Sequence, residues 1–274
     1  MRYSLGVAVL VLMLLAGCAG GPPPVQPPVP AEAKAKGVSA VRSAVLDKTD
    51  HMTAHLDDAR EVLYLQSFGN SVAVGALFGP LGIMANMAST KAATEADQAK
   101  LQGRIPVHAS QAFREAAQET GLPLGPKWTE GGVNFSPYLH LVKLGDGKVL
   151  AASALVVEAP TPGAFFPQAR YLYQLPLGYT VDELSLATPA TVAEIDRQLQ
   201  AGYVELIRFY QSDKSEAMSG EKLVKYKSDF LNPRFDFEAG GKIAAENAER
   251  VWIRNVFGIA AVLRSNITIV GPWE

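Results

Sequence analysis

Two histidines four residues apart, His51-x-x-x-His55, would stand on one face of a helix, and imidazoles so spaced can chelate zinc. The Glu of an H-E-x-x-H protease is replaced by Met52, and His108 and His140 lie far away in sequence, so a solvated helix face is the expected reading of the pair. Nucleophile chemistry finds no motif. There is no G-x-S-x-G elbow, no G-x-x-x-x-G-K-[ST] phosphate loop and no G-x-G-x-x-G fingerprint, and Gly145-Asp146-Gly147 reads as a turn. Cys18 is the single cysteine, which excludes a disulfide framework and a Cys-rich zinc site. No metal and no cofactor is expected. What remains is an aromatic group: Phe165, Phe166, Tyr171 and Tyr173, beside Pro160, Pro162 and Pro167. A Pro-rich loop opening onto an aromatic strand can line a binding groove, and these four are the candidate binding residues.

Charge narrows the partners. The 274 residues carry 25 Lys and Arg against 27 Asp and Glu, a net −2, so nothing electrostatic favours nucleic acid. At 48% hydrophobic the chain is too apolar to stay disordered and long enough for one large or two small cores.

The N-terminus reads as an address. Arg2 precedes an unbroken run of apolar and small residues from Leu5 to Leu15, too short for a membrane span of roughly 20 residues and of the right length for a secretory signal. The run closes on Leu15-Ala16-Gly17-Cys18. This resembles the lipobox of bacterial lipoprotein precursors: Leu three before the Cys, two small residues, then the Cys. The resemblance covers about the first twenty residues and implies diacylation of the Cys18 thiol, cleavage after Gly17 and acylation of the new amino group. Two or three acyl chains anchor stably, where one binds reversibly. In that class Asp after the Cys retains the protein at the inner membrane; the residue here is Ala19, which favours the outer membrane, facing the periplasm.

Behind the anchor, residues 18–36 read as lipidated Cys and tether. Pro22, Pro23, Pro24, Pro27, Pro28 and Pro30 favour polyproline II, which reaches about 28 Å from Pro22 to Pro30. Residues 37–121 are expected to be helical. Val38, Val41, Val45, Met52, Leu56, Ala59 and Leu63 recur at helical spacing, and a second helical region, 91–120, is interrupted near Gly103 and Pro106. Between them the charge-free stretch Ser71 to Ala88, with Gly75, Gly79 and Gly82 around Pro80, is read first as a buried helical hairpin, with membrane insertion and a partner surface as the other readings. Residues 122–274 alternate as strands at Pro137–Leu144, Lys148–Glu158, Arg170–Leu177, Lys222–Phe230 and Arg250–Val270, the last with a turn near Ser265-Asn266. One helix interrupts them, with a capping box at Thr191 and Glu194 and a stripe of Val192, Ile195, Leu199, Tyr203, Leu206 and Tyr210. The expected class is α+β: an N-terminal helical region with a Gly-rich apolar segment, then an antiparallel sheet with one packed helix.

These features favour a lipid-anchored envelope protein with a non-enzymatic domain that binds a protein or lipid partner. The alternative is a periplasmic hydrolase in which His108 or His140 meets a scattered Ser and acid. The anchor is checked directly: mass spectrometry of protein from its native host should show the mature N-terminus as a diacyl or triacyl Cys18 peptide, and an unmodified thiol there would refute the assignment.

Overall fold

The turn Gly145-Asp146-Gly147 joins the two strands around which the molecule is built. Gly147 takes φ 89°, a conformation that favours glycine, and Lys148 N–H donates to Asp146 Oδ1 at 2.9 Å. In the computed structural model, which describes residues 21–67, 71–214, 218–233 and 237–273 (backbone only for 71–85), β5 (Val133–Lys143) and β6 (Lys148–Glu158) pair antiparallel from Asn134↔Glu158 to Lys143↔Val149. Both strands are buried on both faces. From β6, Val149, Ala151, Leu155 and Val157 enter the main core under the helices, while Leu150 and Ala152 enter a second core and Ala154 and Val156 a third, both on the opposite face. That double burial explains the near-continuous apolar run of β6.

The sheet extends from this pair in both directions. Beyond β6 come β7 (Gln168–Thr180), β11 (Gly258–Leu263), β10 (Arg250–Asn255), β9 (Ala239–Glu246), β8 (Lys222–Lys227) and β12 (Thr268–Pro272). The other edge of β5 is shared: β1 (Val38–Ser39) pairs with its start and β3 (Val62–Leu65) with its end, extended by β4 (Leu124–Gly125) and β2 (Thr53–His55). The pairs β1·β4, β1·β5, β3·β5 and β7·β11 are parallel and the others antiparallel. Five helices accompany these strands among the described residues: α1 (Ala31–Lys36), α2 (Ser71–Leu101), α3 (Ala109–Glu119), α4 (Val181–Ser185) and α5 (Pro189–Ser212). α5 carries the expected stripe into the main core, where Phe113 of α3 meets Phe135 and Tyr203 with ring centroids 5.5 and 5.6 Å apart. It lies tight on the sheet at Gly202: a Cβ there would clash with Ser153 Oγ, which itself donates to Leu199 O at 2.8 Å.

The α+β expectation with an N-terminal helical region does not hold. The protein is mostly sheet, 34% strand against 31% helix, with one mixed sheet of 12 strands among the described residues. Residues 38–66, expected as helix, form β1, a 3₁₀ turn at Ala44–Asp47, β2 and β3. Their apolar residues fit a second period equally well: Met52, Ala54, Leu56, Val62 and Tyr64 are buried two apart. Polar side chains close the turns between them. Ser43 accepts from Val45 N–H, Asp50 from Met52 N–H, and Asp57 from the N–H groups of Glu61 and Val62, with Arg60 in the left-handed region at φ 57°. Such local bonds compete directly with a helical ladder. Residues 71–88 form no hairpin: their backbone is the first part of the single helix α2, which runs on unbroken to Leu101, and the side chains of 71–85 lie outside the described residues. Among the described residues no helix is long and apolar enough to cross a membrane.

Two smaller differences arise from turn chemistry. The capping box closes at Thr180 and Glu183 of α4, while α5 starts at Thr188 and Pro189, leaving Glu194 to bind Arg197. Within Arg250–Val270, a turn at Val256-Phe257 and Gly258 (φ 142°) precedes the 3₁₀ turn at Arg264–Asn266. It flips the parity, so Val251 and Ile253 serve the second core and Ile259 and Ala261 the main one.

The Pro-rich segment lies along the domain rather than standing off it. Gln26 and Val29 are buried, Gln26 N–H donates to Asn255 O at 2.8 Å, and α1 comes directly after. Beneath it sits Arg254, 1% exposed, with Nη2 2.7 Å from Asp213 Oδ1 and Nε 3.0 Å from Glu221 Oε1. Lys34 Nζ donates to Tyr210 O and Asp213 O at 2.6 and 2.8 Å. Burial pushes the Asp213 carboxyl above its ordinary range, and Arg254 opposes that only in part. Arg254→Met strands two buried carboxylates and should cost about 3–5 kcal/mol in urea unfolding. A carboxyl whose folded pKa is raised stabilises the fold while protonated and loses that contribution as pH rises through the folded pKa. The deficit should therefore be larger at about pH 7 than at about pH 5, and Asp213→Asn should recover part of it; equal deficits at both pH values would refute the arrangement.

Candidate functional site

At one end of the sheet, where β5 begins, β6 ends and β7 begins, the surface opens into a cleft of about 540 Å³. Its floor is built on Asn134. Just past β1 the chain leaves the ladder, and the Asn134 side chain takes over: Oδ1 accepts from Val41 N–H and Nδ2 donates to Val41 O, both at 2.8 Å, while Ser136 Oγ donates to the same carbonyl. One side chain thus supplies the donor and acceptor that a neighbouring strand would have given. Close approach of the two segments depends on Gly132, where a Cβ would lie 2.8 Å from Gly37 O.

Glu158, the last residue of β6, stands opposite Asn134 in the ladder and projects its carboxylate into the cleft. It accepts from Ser43 Oγ at 2.8 Å, Asn134 Nδ2 at 2.7 Å and Gln168 Nε2 at 3.4 Å. These donors are all neutral. Arg42, on the same rim, is turned to Asp47, whose carboxyl Arg60 and Arg42 together hold below its ordinary range. Trp128, 51% exposed, lines the same cleft, as do Pro160 and Pro167.

The four aromatic residues singled out from sequence are divided by the fold. Phe165 and Phe166 meet edge to face at 5.0 Å beside the cleft, and Phe166 stacks on Phe257 at 5.4 Å, a neighbour with no sequence signal. Tyr171 lies in the main core, where burial pushes its phenol up. Tyr173 is half-buried further along the same face, its ring 4.0 Å from the Arg250 guanidinium. Cys18 lies outside the described residues.

The histidines are scattered. His51 sits in the turn before β2 and His55 ends β2, so the pair does not share a helix face, and burial lowers the His55 pKa. His108 is exposed at the start of α3, where its backbone bonds Asp196, whose carboxyl burial nonetheless pushes above its ordinary range. The hydroxyl two residues on, Ser110 Oγ, donates to Glu61 instead. His140 is buried mid-strand in β5, its ring 5.7 Å from that of Tyr138. Among the described residues no group of three His, Cys, Asp or Glu is placed to hold a metal.

No protein-family model matches the chain, and no curated protein and no solved structure shows significant similarity to it. The cleft therefore stands on its own chemistry. Apart from Pro160 and Pro167, its residues carry no sequence signal, because they come from five separate segments. Asn134→Ala should orphan the Val41 N–H, leave its carbonyl to Ser136 Oγ and loosen Glu158, lowering stability by about 1–3 kcal/mol in denaturant unfolding. A loss within about 0.5 kcal/mol, the usual range of an inert surface change, would mean the side chain does not organise the floor.

Proposed function

We propose that the chain is a lipid-anchored envelope protein, held through Cys18 at the outer membrane and facing the periplasm, whose folded part is a non-enzymatic binding module for a protein partner. The observation that carries the reading is the pairing, across one cleft, of an exposed Trp128 with a Glu158 carboxylate fixed by Ser43, Asn134 and Gln168. An exposed indole face attracts a cation, and a carboxylate whose hydrogen-bond donors are all neutral is not already ion-paired. The carboxylate is held before any ligand arrives, which lowers the ordering cost of binding. Pro160 and Pro167 add rigid apolar surface to the lining for the stem of a Lys or Arg side chain. The ligand this suits is an extended segment bearing a basic residue.

A photoreactive amino acid at position 128 should crosslink to a discrete envelope protein in intact cells. In calorimetry, the purified protein should prefer a Lys- or Arg-bearing extended peptide to its Glu-bearing counterpart. Glu158→Gln and Trp128→Ala should each weaken that binding by about tenfold, or 1.4 kcal/mol. Indifference to Glu158→Gln, or crosslinking to lipid alone, would overturn the protein-partner reading.

A further inference from the structure

Next to the cleft the aromatic tip of Phe165, Phe166 and Phe257 leaves two rings open to solvent, Phe165 at 46% and Phe257 at 51% exposed. It stands where the N-terminal segment meets the domain. Gln26 N–H donates to Asn255 O at 2.8 Å, two residues from Phe257, and Gln26 Nε2 donates to Phe166 O at 3.3 Å. Upstream, Pro23 lies against Gly240 so closely that a Cβ on that glycine would fall 2.4 Å from Pro23 Cγ.

This docking shortens the leash. A free tether would leave the domain any orientation, but with Pro23 and Gln26 held on the domain only four residues, spanned by five Cα–Cα steps, separate Cys18 from the docked Pro23. Fully extended, they reach about 18 Å, no more than the radius of gyration of about 18 Å expected for a folded chain of this length. On the reading that Cys18 is acylated, the end bearing the tip is kept at the bilayer. Aromatic side chains partition into the interfacial zone, and Arg170, exposed beside Phe257 with its N–H on Phe257 O at 2.7 Å, is placed for lipid phosphate. We propose that the Phe165–Phe166–Phe257 tip is a second membrane contact, docking into the surface of the same bilayer that holds Cys18. Anchor and tip together would fix the orientation of the domain and set the cleft close to the membrane.

The test uses the full mature protein in vesicles of phosphatidylethanolamine and phosphatidylglycerol that carry a photoactivatable diazirine lipid. Peptide mapping should find label on the segments holding Phe165, Phe166 and Phe257 at least tenfold above the segment holding Leu186. That residue is 79% exposed but lies beyond the far end of β7, so it controls for exposure alone. Phe165→Ser with Phe257→Ser should reduce tip labelling to the Leu186 level at an unchanged thermal midpoint. The single variant Phe257→Leu, which keeps an apolar side chain, should retain label if the double variant misfolds. Equal labelling at both ends, no label at the tip, or tip crosslinks between two copies of the chain without lipid would overturn the contact. The mass of the Cys18 peptide from the same digest separates the two ideas. An acylated Cys18 with an unlabelled tip sinks the contact and leaves the anchor; an unmodified Cys18 with a labelled tip sinks the anchor and leaves the contact.

Discussion

A buried arginine side chain must be met by acceptors on every donor that it takes out of water, and that requirement organises one side of this protein. Arg254 on β10 is almost wholly inaccessible, and its guanidinium is satisfied by Asp213 at the end of α5, by Glu221 before β8 and by the N-terminal segment at Gln26. Removing any of these would leave charge or donors in a low-dielectric setting at a cost of several kcal/mol. The end of the helix layer, the far half of the sheet and the segment leading from the N-terminus are therefore held to one another. Lys34, reaching the last carbonyls of α5, repeats the same device one step along the chain.

Fixing the N-terminal segment gathers three features at one end of the molecule. The cleft at Trp128 and Glu158 and the Phe165–Phe166–Phe257 tip lie where β6 ends and β7 begins, and residues 23–26 dock from Gly240 on β9 to Phe166 of that tip. A polyproline segment is stiff and poor in backbone donors, which suits it to lie along a sheet end without demanding ladder partners. With the proposed anchor at Cys18, position relative to a membrane would be a property of packing rather than of tether length.

Neutral side chains do the backbone's work across this end. Asn134 substitutes for a strand beside Val41, and Ser43 both caps the 3₁₀ turn and steadies Glu158. The carboxylates of Asp50 and Asp57 close the turns around β2 and β3 in the same way. Each spares a backbone group from burial without a partner, at the cost of irregularity that no periodic pattern announces.

Legible in the sequence alone were the elements whose signals are local: the Gly145-Asp146-Gly147 hairpin, the alternation of Arg170–Leu177 and the stripe from Ile195 to Tyr210 that packs α5 on the sheet. Turn geometry and side-chain period act over a few residues, so the chain states them outright. Residues 38–66 carried two periods at once, and only pairing of β3 with β5, 77 residues apart at Val62↔Leu139, decided for strands. The turn at Val256-Phe257 reversed a parity that looked continuous, because a strand's facing depends on where its neighbour ends. The cleft was invisible for the same reason: Ser43, Asn134, Glu158 and Gln168 carry no spacing and are joined only by long-range strand pairing and hydrogen bonds, beside Trp128.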